Sequence, residues 1–314
     1  MDNKDLFLDA QTNQYGSHMV MTNVHKSTKT KLINIDTQFR DEYNYNDTSS
    51  SYSVTLPDRF KYNVTLPDRI NSVKTLTVKS IEIPMTFYNI SNNLGNNSFS
   101  ITNKTSNVTT FITVPDGDYT MASLVTATNT VLGTGSSSKL TLTQNANGKY
   151  QISAVTNNFD INFASFGTTQ TNNKYNFKTS LGWLLGFRKP TYTVAASSSV
   201  IADSLSLVTT PSSRYLYLAI DEFNKGVQNS FVTSVSNAFL NKNVIARISI
   251  DLTTYPFGSV LVANTLNGLL LSDTRNYNGK IDLQKVNIQL LTETGAPVDL
   301  NGNDFSFCVE ATYE

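Results

Sequence analysis

The residues that most often catalyse reactions or bind metals are few in this chain and lie far apart. The 314 residues include two histidines, His18 and His25, and a single cysteine, Cys308. A zinc site needs several Cys, His or carboxylate ligands at matched spacings, and a cysteine nucleophile needs a nearby base. Neither pattern occurs. We therefore predict no catalytic, cofactor-binding or metal-binding residues and no enzymatic activity. Cys308 falls between two apolar residues of an alternating run, which predicts a packed, inert thiol.

The nearest approach to a metal motif lies at the end of the chain. Asp299, Asn301, Asn303 and Glu310 occupy the first, third, fifth and twelfth places of a calcium-binding loop. However, Asp304 stands where the sharp turn of such a loop requires glycine. The residues that lead to Glu310 alternate like a strand, which would carry its carboxylate away from the turn. A tight turn between two strands is therefore the favoured interpretation.

Two other segments could bind ligands in principle. Gly133-Thr134-Gly135, followed by serines, lacks the spacing of a phosphate-binding loop and is predicted to be a flexible linker. Trp183, together with the fifteen tyrosines, could form a sugar-binding platform. Because Trp183 lies within the apolar run 181–187, a place in the core or in an interface is the preferred prediction.

The composition favours β structure and argues against nucleic acid as a partner. Only 15% of residues are charged, against about 25% in an average soluble protein, so Asn, Thr and Ser must supply much of the polar surface. These residue types favour turns and strands. The formal net charge is zero, so the chain lacks the positive field that attracts phosphate backbones. A zero net charge also gives little electrostatic repulsion between copies, which favours a protein that assembles. The sequence contains no apolar stretch long enough to predict a membrane span. It also contains no N-terminal apolar segment that would predict a signal peptide.

Alternating apolar residues predict strands from Leu32 onward. Three runs alternate cleanly, at 216–220, 244–250 and 305–311, and each is predicted to bury one face. In two longer runs the alternation changes phase, after Val78 and after Leu283. Such a change predicts a β-bulge, and bulges bend strands at the corners of two-sheet sandwiches.

One segment, 119–132, has helical spacing. Leu124, Ala127, Thr128 and Val131 could share a face, and Asp118 could cap the start. Strands are predicted on both sides, near 99–114 and 140–163. Together they predict a small α+β insertion at about 99–187 in a domain that spans 31–314. The alternative, a helix that decorates a loop of the sandwich, remains open.

The N-terminal part of the chain has two unusual features. Residues 1–30 show no sustained periodicity and are predicted to form an extended arm, either disordered or ordered on a neighbouring subunit. Residues 52–59 are repeated almost exactly at 62–69. Because ten residues is an even number, the duplication preserves the phase of the following strand, and only one copy is expected in the sheet.

Five segments spread over nearly the whole chain resemble a known family. They are 33–40 (INIDTQFR), 69–74 leading into 80–84 (RINSVK and SIEIP), 115–120 (PDGDYT), 181–188 (LGWLLGFR) and 298–307 (VDLNGNDFSF). In combination they resemble the penton and minor capsid proteins of nucleocytoplasmic large DNA viruses, especially mimivirus-like and algal giant viruses. The ten-residue duplication departs from the family pattern.

The resemblance implies an all-β, antiparallel, single jelly-roll sandwich, because a double jelly roll would leave little room for the insertion and the arm. It implies no catalytic residues. The family motifs found in this chain are structural: they consist of glycines that permit turns and aromatic residues that fill space. These are Gly182, Gly186 and Gly302, and Trp183, Phe187, Phe305 and Phe307.

The leading hypothesis that follows is a structural protein of the icosahedral virion shell. It would be a penton subunit, forming a head-to-tail homopentamer at the five-fold vertices and contacting the major capsid protein and other minor capsid proteins. One alternative is a minor capsid (cement) protein under or between the major capsomers. A second, from a different class, is a glycan-binding spike or fibre head, and a third is an enzyme.

Overall fold

The computed structural model describes residues 27–39, 61–134, 140–165, 177–206, 213–223, 234–235, 238–239 and 243–314. Strands account for about half of the described residues and helices for about a tenth. The predicted arm and both histidines lie outside the described residues, except that 27–30 lead into and begin the first strand, β1 (Lys29–Asp36). No helix in the described part is long and apolar enough to cross a membrane.

One long strand, β2 (Lys61–Pro84), organises the fold. Its first part pairs with β16 (Arg275–Leu291), and residues 73–82 pair with β17 (Ser306–Tyr313). Its last residues, 80–84, also pair with β14 (Val260–Asn264). Because its successive parts have different neighbours, β2 passes from one sheet into another, as a strand does at the corner of a sandwich.

The two sheets that share β2 are both antiparallel. One has the order β1-β17-β2-β14. The other has the order β2-β16-β10-β13-β15, in which β10 is Tyr215–Asp221, β13 is Val244–Ser249 and β15 is Leu270–Ser272. Strands that are distant in sequence lie side by side, and both sheets surround a single apolar core. This is the pairing pattern of a jelly roll, so the predicted fold class is confirmed.

The predicted β-bulges lie where the alternation changes phase. Val309 faces Val78 and Cys308 faces Ser80, so Lys79 is the extra residue in β2. A second register shift lies between Leu283 and Lys285. Each bulge lets apolar residues before and after it point into the same core, because it resets the two-residue period.

Two of the predicted clean runs need correction. In β10, Leu216, Leu218 and Ile220 face the main core as predicted, but Tyr217 and Ala219 on the opposite face are buried too. In β13, Val244 does not share a face with the residues that follow, because a register shift inserts Ile245. By contrast, the run Phe305 to Ala311 buries one face of β17 as predicted.

Between β2 and β10 the chain forms two further sheets. The first has the order β4-β3-β7-β8 and the second β5-β6-β9, and they share a core of their own. The strands are β3 (Ser98–Asn103), β4 (Val108–Thr113), β5 (Leu140–Gln144), β6 (Tyr150–Ala154), β7 (Phe159–Asn162), β8 (Thr191–Val194) and β9 (Ser199–Ile201). Since β8 and β9 pair with β7 and β6, these sheets continue beyond the predicted limit at 187.

Two helices accompany these sheets. Helix α1 (Met121–Thr134) buries Leu124 and Thr128 as predicted, but its cap is Thr120, whose Oγ1 accepts from Ser123 N at 3.2 Å, and not Asp118. Gly133 and Thr134 belong to α1, which corrects the linker prediction for these two residues, and Gly135 with the serines that follow lies outside the described residues. Helix α2 (Leu181–Leu184) begins at the Ser180 cap.

The glycines of the 181–188 motif allow close packing as well as a turn. A Cβ on Gly182 would lie 2.2 Å from Phe163 Cγ, and Gly186 has φ +94°. Gly182 is therefore required by the ring that packs on α2, and Gly186 by the turn that follows. Of the duplicated segment, the second copy lies in β2, and the first lies outside the described residues.

Candidate functional site

The calcium-like segment is a turn whose polar side chains connect parts of the chain. The Asp299 carboxylate accepts from the backbone N–H of Asn301 at 2.9 Å and from the Asn93 amide at 3.2 Å. Asn301 and Gly302 have φ of +53° and +84°, the left-handed conformation that ends a tight turn. Glu310 lies in β17 and pairs with Lys79 at 3.0 Å. The four side chains of the motif are thus not directed at one point.

Trp183 lies at the rim of the second core. The side chain is half-buried, with the Phe177 ring packed edge-on at 5.6 Å and the Arg188 guanidinium 4.2 Å from its ring centre. Arg188 also donates to the Trp183 carbonyl at 2.7 Å. The neighbours Leu185 and Phe187 are buried. Because a cation already covers one face of the indole, this ring is poorly suited to stack on a sugar.

A buried ionic cluster lies at the end of β10. The guanidinium of Arg275 donates to the Glu222 carboxylate at 2.6 Å, and both side chains are 0% exposed. Tyr277 donates to the same carboxylate oxygen at 2.6 Å. Arg275 also donates to the carbonyls of Ile220 and Asn243, each at 2.8 Å, so it joins the end of β10 to the start of β13. Nothing in the sequence singled out these residues.

Asparagine side chains take the place of backbone hydrogen-bonding partners at the edge of β5 and between two loops. The Asn129 amide donates to the Leu142 carbonyl and accepts from the Leu142 N–H, both at 2.8 Å, which fixes α1 to the edge of β5. Asn89 makes the same pair of bonds with Tyr119. Asn89 is buried, so the asparagine-rich composition serves the interior as well as the surface.

The perturbed carboxylates lie in structural contacts. A hydrogen bond from Tyr192 holds the pKa of Asp203 below its usual range, and backbone donors act in the same direction. Hydrogen bonds from Lys280 and Lys74 lower the pKa of Glu314 to about 2. Both carboxylates are therefore ionised at neutral pH and already bonded to neighbouring groups.

The surface feature that stands out is the placement of exposed apolar side chains. In the described strands, every large hydrophobic residue that is exposed lies on a strand at the edge of its sheet. Proteins usually protect edge strands with charges, prolines or short length, because unpaired backbone groups and apolar side chains together invite pairing with another chain. These residues are Leu32 of β1, Val108 and Phe111 of β4, Ile201 of β9, Val260 and Val262 of β14, and Leu271 of β15.

The β14 edge carries two of these residues and lies beside two further exposed apolar side chains. Val260 and Val262 are 53% and 38% exposed, whereas Leu261 and Ala263 between and after them are fully buried. The preceding loop adds Phe257, whose ring stacks on Tyr88 at 6.2 Å. The following turn carries a leucine, Leu266, that is 97% exposed.

Two polar side chains partly cover the β14 edge. The Asn267 amide donates to the carbonyl of Val262 at 2.7 Å and accepts from the Asn264 N–H at 3.1 Å, and the Tyr255 hydroxyl donates to the same Val262 carbonyl at 3.5 Å. A side-chain amide can satisfy backbone groups of an edge strand that has no neighbouring strand on that side. The exposed side chains of Val260 and Val262 are apolar.

The opposite edge of the same sheet is β1. In the described residues β1 pairs with β17 alone, and Leu32 is 64% exposed on the face away from the core. Ile35 is buried and Ile33 packs on the core, so the even-numbered positions face outward. Phe39, three residues beyond the strand, is 75% exposed. Neither edge is predictable from the sequence, because exposure depends on which strands acquire a second neighbour.

Comparison with known proteins gives little at the level of sequence. No family model matches the chain, and no curated protein matches it. Among solved structures, the chain is similar to the mavirus penton protein, determined as a selenomethionine-labelled crystal structure, with a TM-score of 0.41 and 9% identity. The alignment covers 91% of this chain and 99% of that one.

Proposed function

We propose that this chain is a structural capsid protein of a large icosahedral DNA virus and that it acts by packing against other coat subunits. The observation that supports this most is the restriction of exposed strand hydrophobics to sheet edges. A protein that worked as a monomer would carry these side chains as an aggregation hazard. The jelly roll and the five family-like segments of the sequence agree with the proposal.

The proposed role within the shell is the penton subunit. Five copies would form a head-to-tail ring that closes by rotation, with the major capsid protein and other minor capsid proteins as outer neighbours. In a head-to-tail ring each copy uses two different surfaces, and the sheet β1-β17-β2-β14 offers two different edges: β14, which exposes Val260 and Val262, and β1, which exposes Leu32 together with Lys29 and Lys31. A minor capsid protein between capsomers is the second candidate, since it would use the same edges with other partners.

The mass of the purified protein in solution tests the penton role. Native mass spectrometry should show a species of five times the 34.7 kDa chain mass. A monomer at all concentrations would contradict the homopentamer and favour the minor capsid role.

Location in the virion tests both roles. An icosahedral reconstruction should place the jelly roll at the five-fold axes. Density for this chain away from those axes would exclude the penton role and leave the minor capsid role, and its absence from the virion would contradict the capsid proposal as a whole.

A glycan-binding function receives no support from the Trp183 region, because Arg188 and Phe177 occupy the ring. A glycan array with the purified protein provides the test. Selective binding that is lost on Trp183→Ala would favour a spike or fibre head over a shell subunit.

A further inference from the structure

We propose that a second copy of this chain docks its β1 edge against the β14 edge, so that the sheet β1-β17-β2-β14 continues from one subunit into the next. This inference rests on the proposed function and names the surface through which copies would join. It commits to one occupant for each edge: β1 of one copy is the partner of β14 of its neighbour.

Strand direction supports this pairing. Each neighbouring pair in β1-β17-β2-β14 is antiparallel. Consequently β1 and β2 run one way, and β17 and β14 run the other. A second copy placed beside the first in the same orientation brings its β1 next to β14 with the opposite direction. The antiparallel order then continues without interruption, and both strands gain backbone partners on their open sides.

The side chains at the two edges also match. In β14, Leu261 and Ala263 face the core, so Val260 and Val262 point to the outer face of the sheet. In β1, Ile33 and Ile35 face the core, so Leu32 and Asn34 point to the same outer face. A second copy placed level with the first brings Asp36 opposite Val262, because both are level with Glu82 of β2, whereas Leu32 is level with Thr77. When the second copy is also shifted along the strands by about five residues, Leu32 becomes a cross-strand neighbour of Val262, about 5 Å away, and is covered by it.

A head-to-tail joint covers the exposed apolar side chains of both edges. Pairing of β14 with β14 about a two-fold axis would be antiparallel as well, but it would leave Leu32 of β1 uncovered in every copy. The β1–β14 joint covers both edges with a single type of contact, and it can close into a ring. When the joint forms, the Asn267 side chain must leave the Val262 carbonyl and the Asn264 N–H, and the Tyr255 hydroxyl must leave the Val262 carbonyl, so these side chains protect the edge of the free subunit.

Paired cysteines test the joint directly. In a Cys308→Ser background, Leu32→Cys or Asn34→Cys is combined with Val260→Cys or Val262→Cys, and the protein is oxidised at the concentration at which it oligomerises. We expect at least one of the four double variants to give a ladder of covalent oligomers on a denaturing gel. The matching single variants should stay monomeric on that gel when alone and give only covalent dimers when mixed with each other.

Each alternative result has a distinct meaning. Covalent dimers from a single variant would overturn the head-to-tail arrangement in favour of a two-fold contact. A pentamer by native mass without any cross-link among the four pairs would overturn this joint and leave the penton proposal standing. A monomer without cross-links would overturn both.

A charge substitution with a matched control gives a second, independent test. Val260→Lys should weaken self-association about fivefold in sedimentation measurements, because it replaces an apolar cross-strand contact of the joint, worth up to about 1 kcal/mol, with a charge on the edge strand. Val108→Lys is the control, since Val108 lies on the edge strand β4, which is not in this joint, and is 57% exposed against 53% for Val260. Equal effects of the two substitutions would contradict the proposed joint.

Discussion

Replacing Arg275 with methionine should be among the most destabilising single changes in the jelly roll. Its guanidinium is 0% exposed and donates to the Glu222 carboxylate at 2.6 Å and to two backbone carbonyls at 2.8 Å. Methionine fills similar space but donates nothing, so a carboxylate would remain buried beside the Tyr277 hydroxyl alone. Breaking a buried ion pair from one side costs about 3–5 kcal/mol, and we expect Arg275→Met to lower the free energy of unfolding by that amount.

Urea denaturation followed by circular dichroism measures this change, with Arg214→Met as the matched control. Arg214 is 71% exposed and pairs with Glu293 at 3.4 Å, so its loss should cost less than about 1 kcal/mol. The double variant Glu222→Leu with Arg275→Met removes both charges and should be more stable than Arg275→Met alone. If Arg275→Met costs no more than the control, the cluster does not hold β10 to β13, and the reasoning fails.

The same cluster makes stability depend on alkaline pH. Burial and the neighbouring Glu222 carboxylate raise the pKa of Tyr277 above its ordinary 10.0. Because the folded state disfavours the ionised phenol, this contribution to stability is complete below about pH 10 and is lost as the pH rises above that value. Tyr277→Phe should therefore flatten the decline of the unfolding free energy above about pH 10, and an unchanged decline would contradict the assignment.

Three further outcomes are expected from other parts of the chain. Gly182→Ala should destabilise the fold by about 1–3 kcal/mol, because the new Cβ would overlap the buried ring of Phe163. Gly133→Ala is the control: it has open space around it in α1 and should be neutral or stabilising by up to about 1 kcal/mol. Thermal melts compare the two variants. Asn129→Leu should speed hydrogen exchange at the Leu142 amide at least tenfold by mass spectrometry, and unchanged exchange would show that the amide pair does not hold this edge. The pKa of Glu314 is lowered to about 2, so its ion pairs stabilise the fold above about pH 4.5 and are lost as the pH falls toward 2; Glu314→Gln should reduce the slope of acid denaturation in that window.

The sequence determined the β class, the bent strands and much of the core. Alternation with a period of two determines which side chains share a face, and a change of phase indicates where a bulge must lie. The phase change after Val78 therefore predicted a bulge close to Lys79, where the structure has it. The turn at 299–304 was predicted for the same kind of local reason, because a residue in the place of the required glycine is incompatible with a calcium loop.

Only the tertiary structure decided which strands lie at an edge and which charges are buried. Val260 and Leu216 both lie in apolar runs, yet one is 53% exposed and the other fully buried, because among the described residues β10 has a neighbouring strand on each side and β14 has one on a single side. Arg275 opens a strand like many surface arginines, but the tertiary fold places its guanidinium against the end of β10, where it is buried with Glu222. Pairing between segments far apart in sequence depends on the whole topology, and local periodicity carries no record of it.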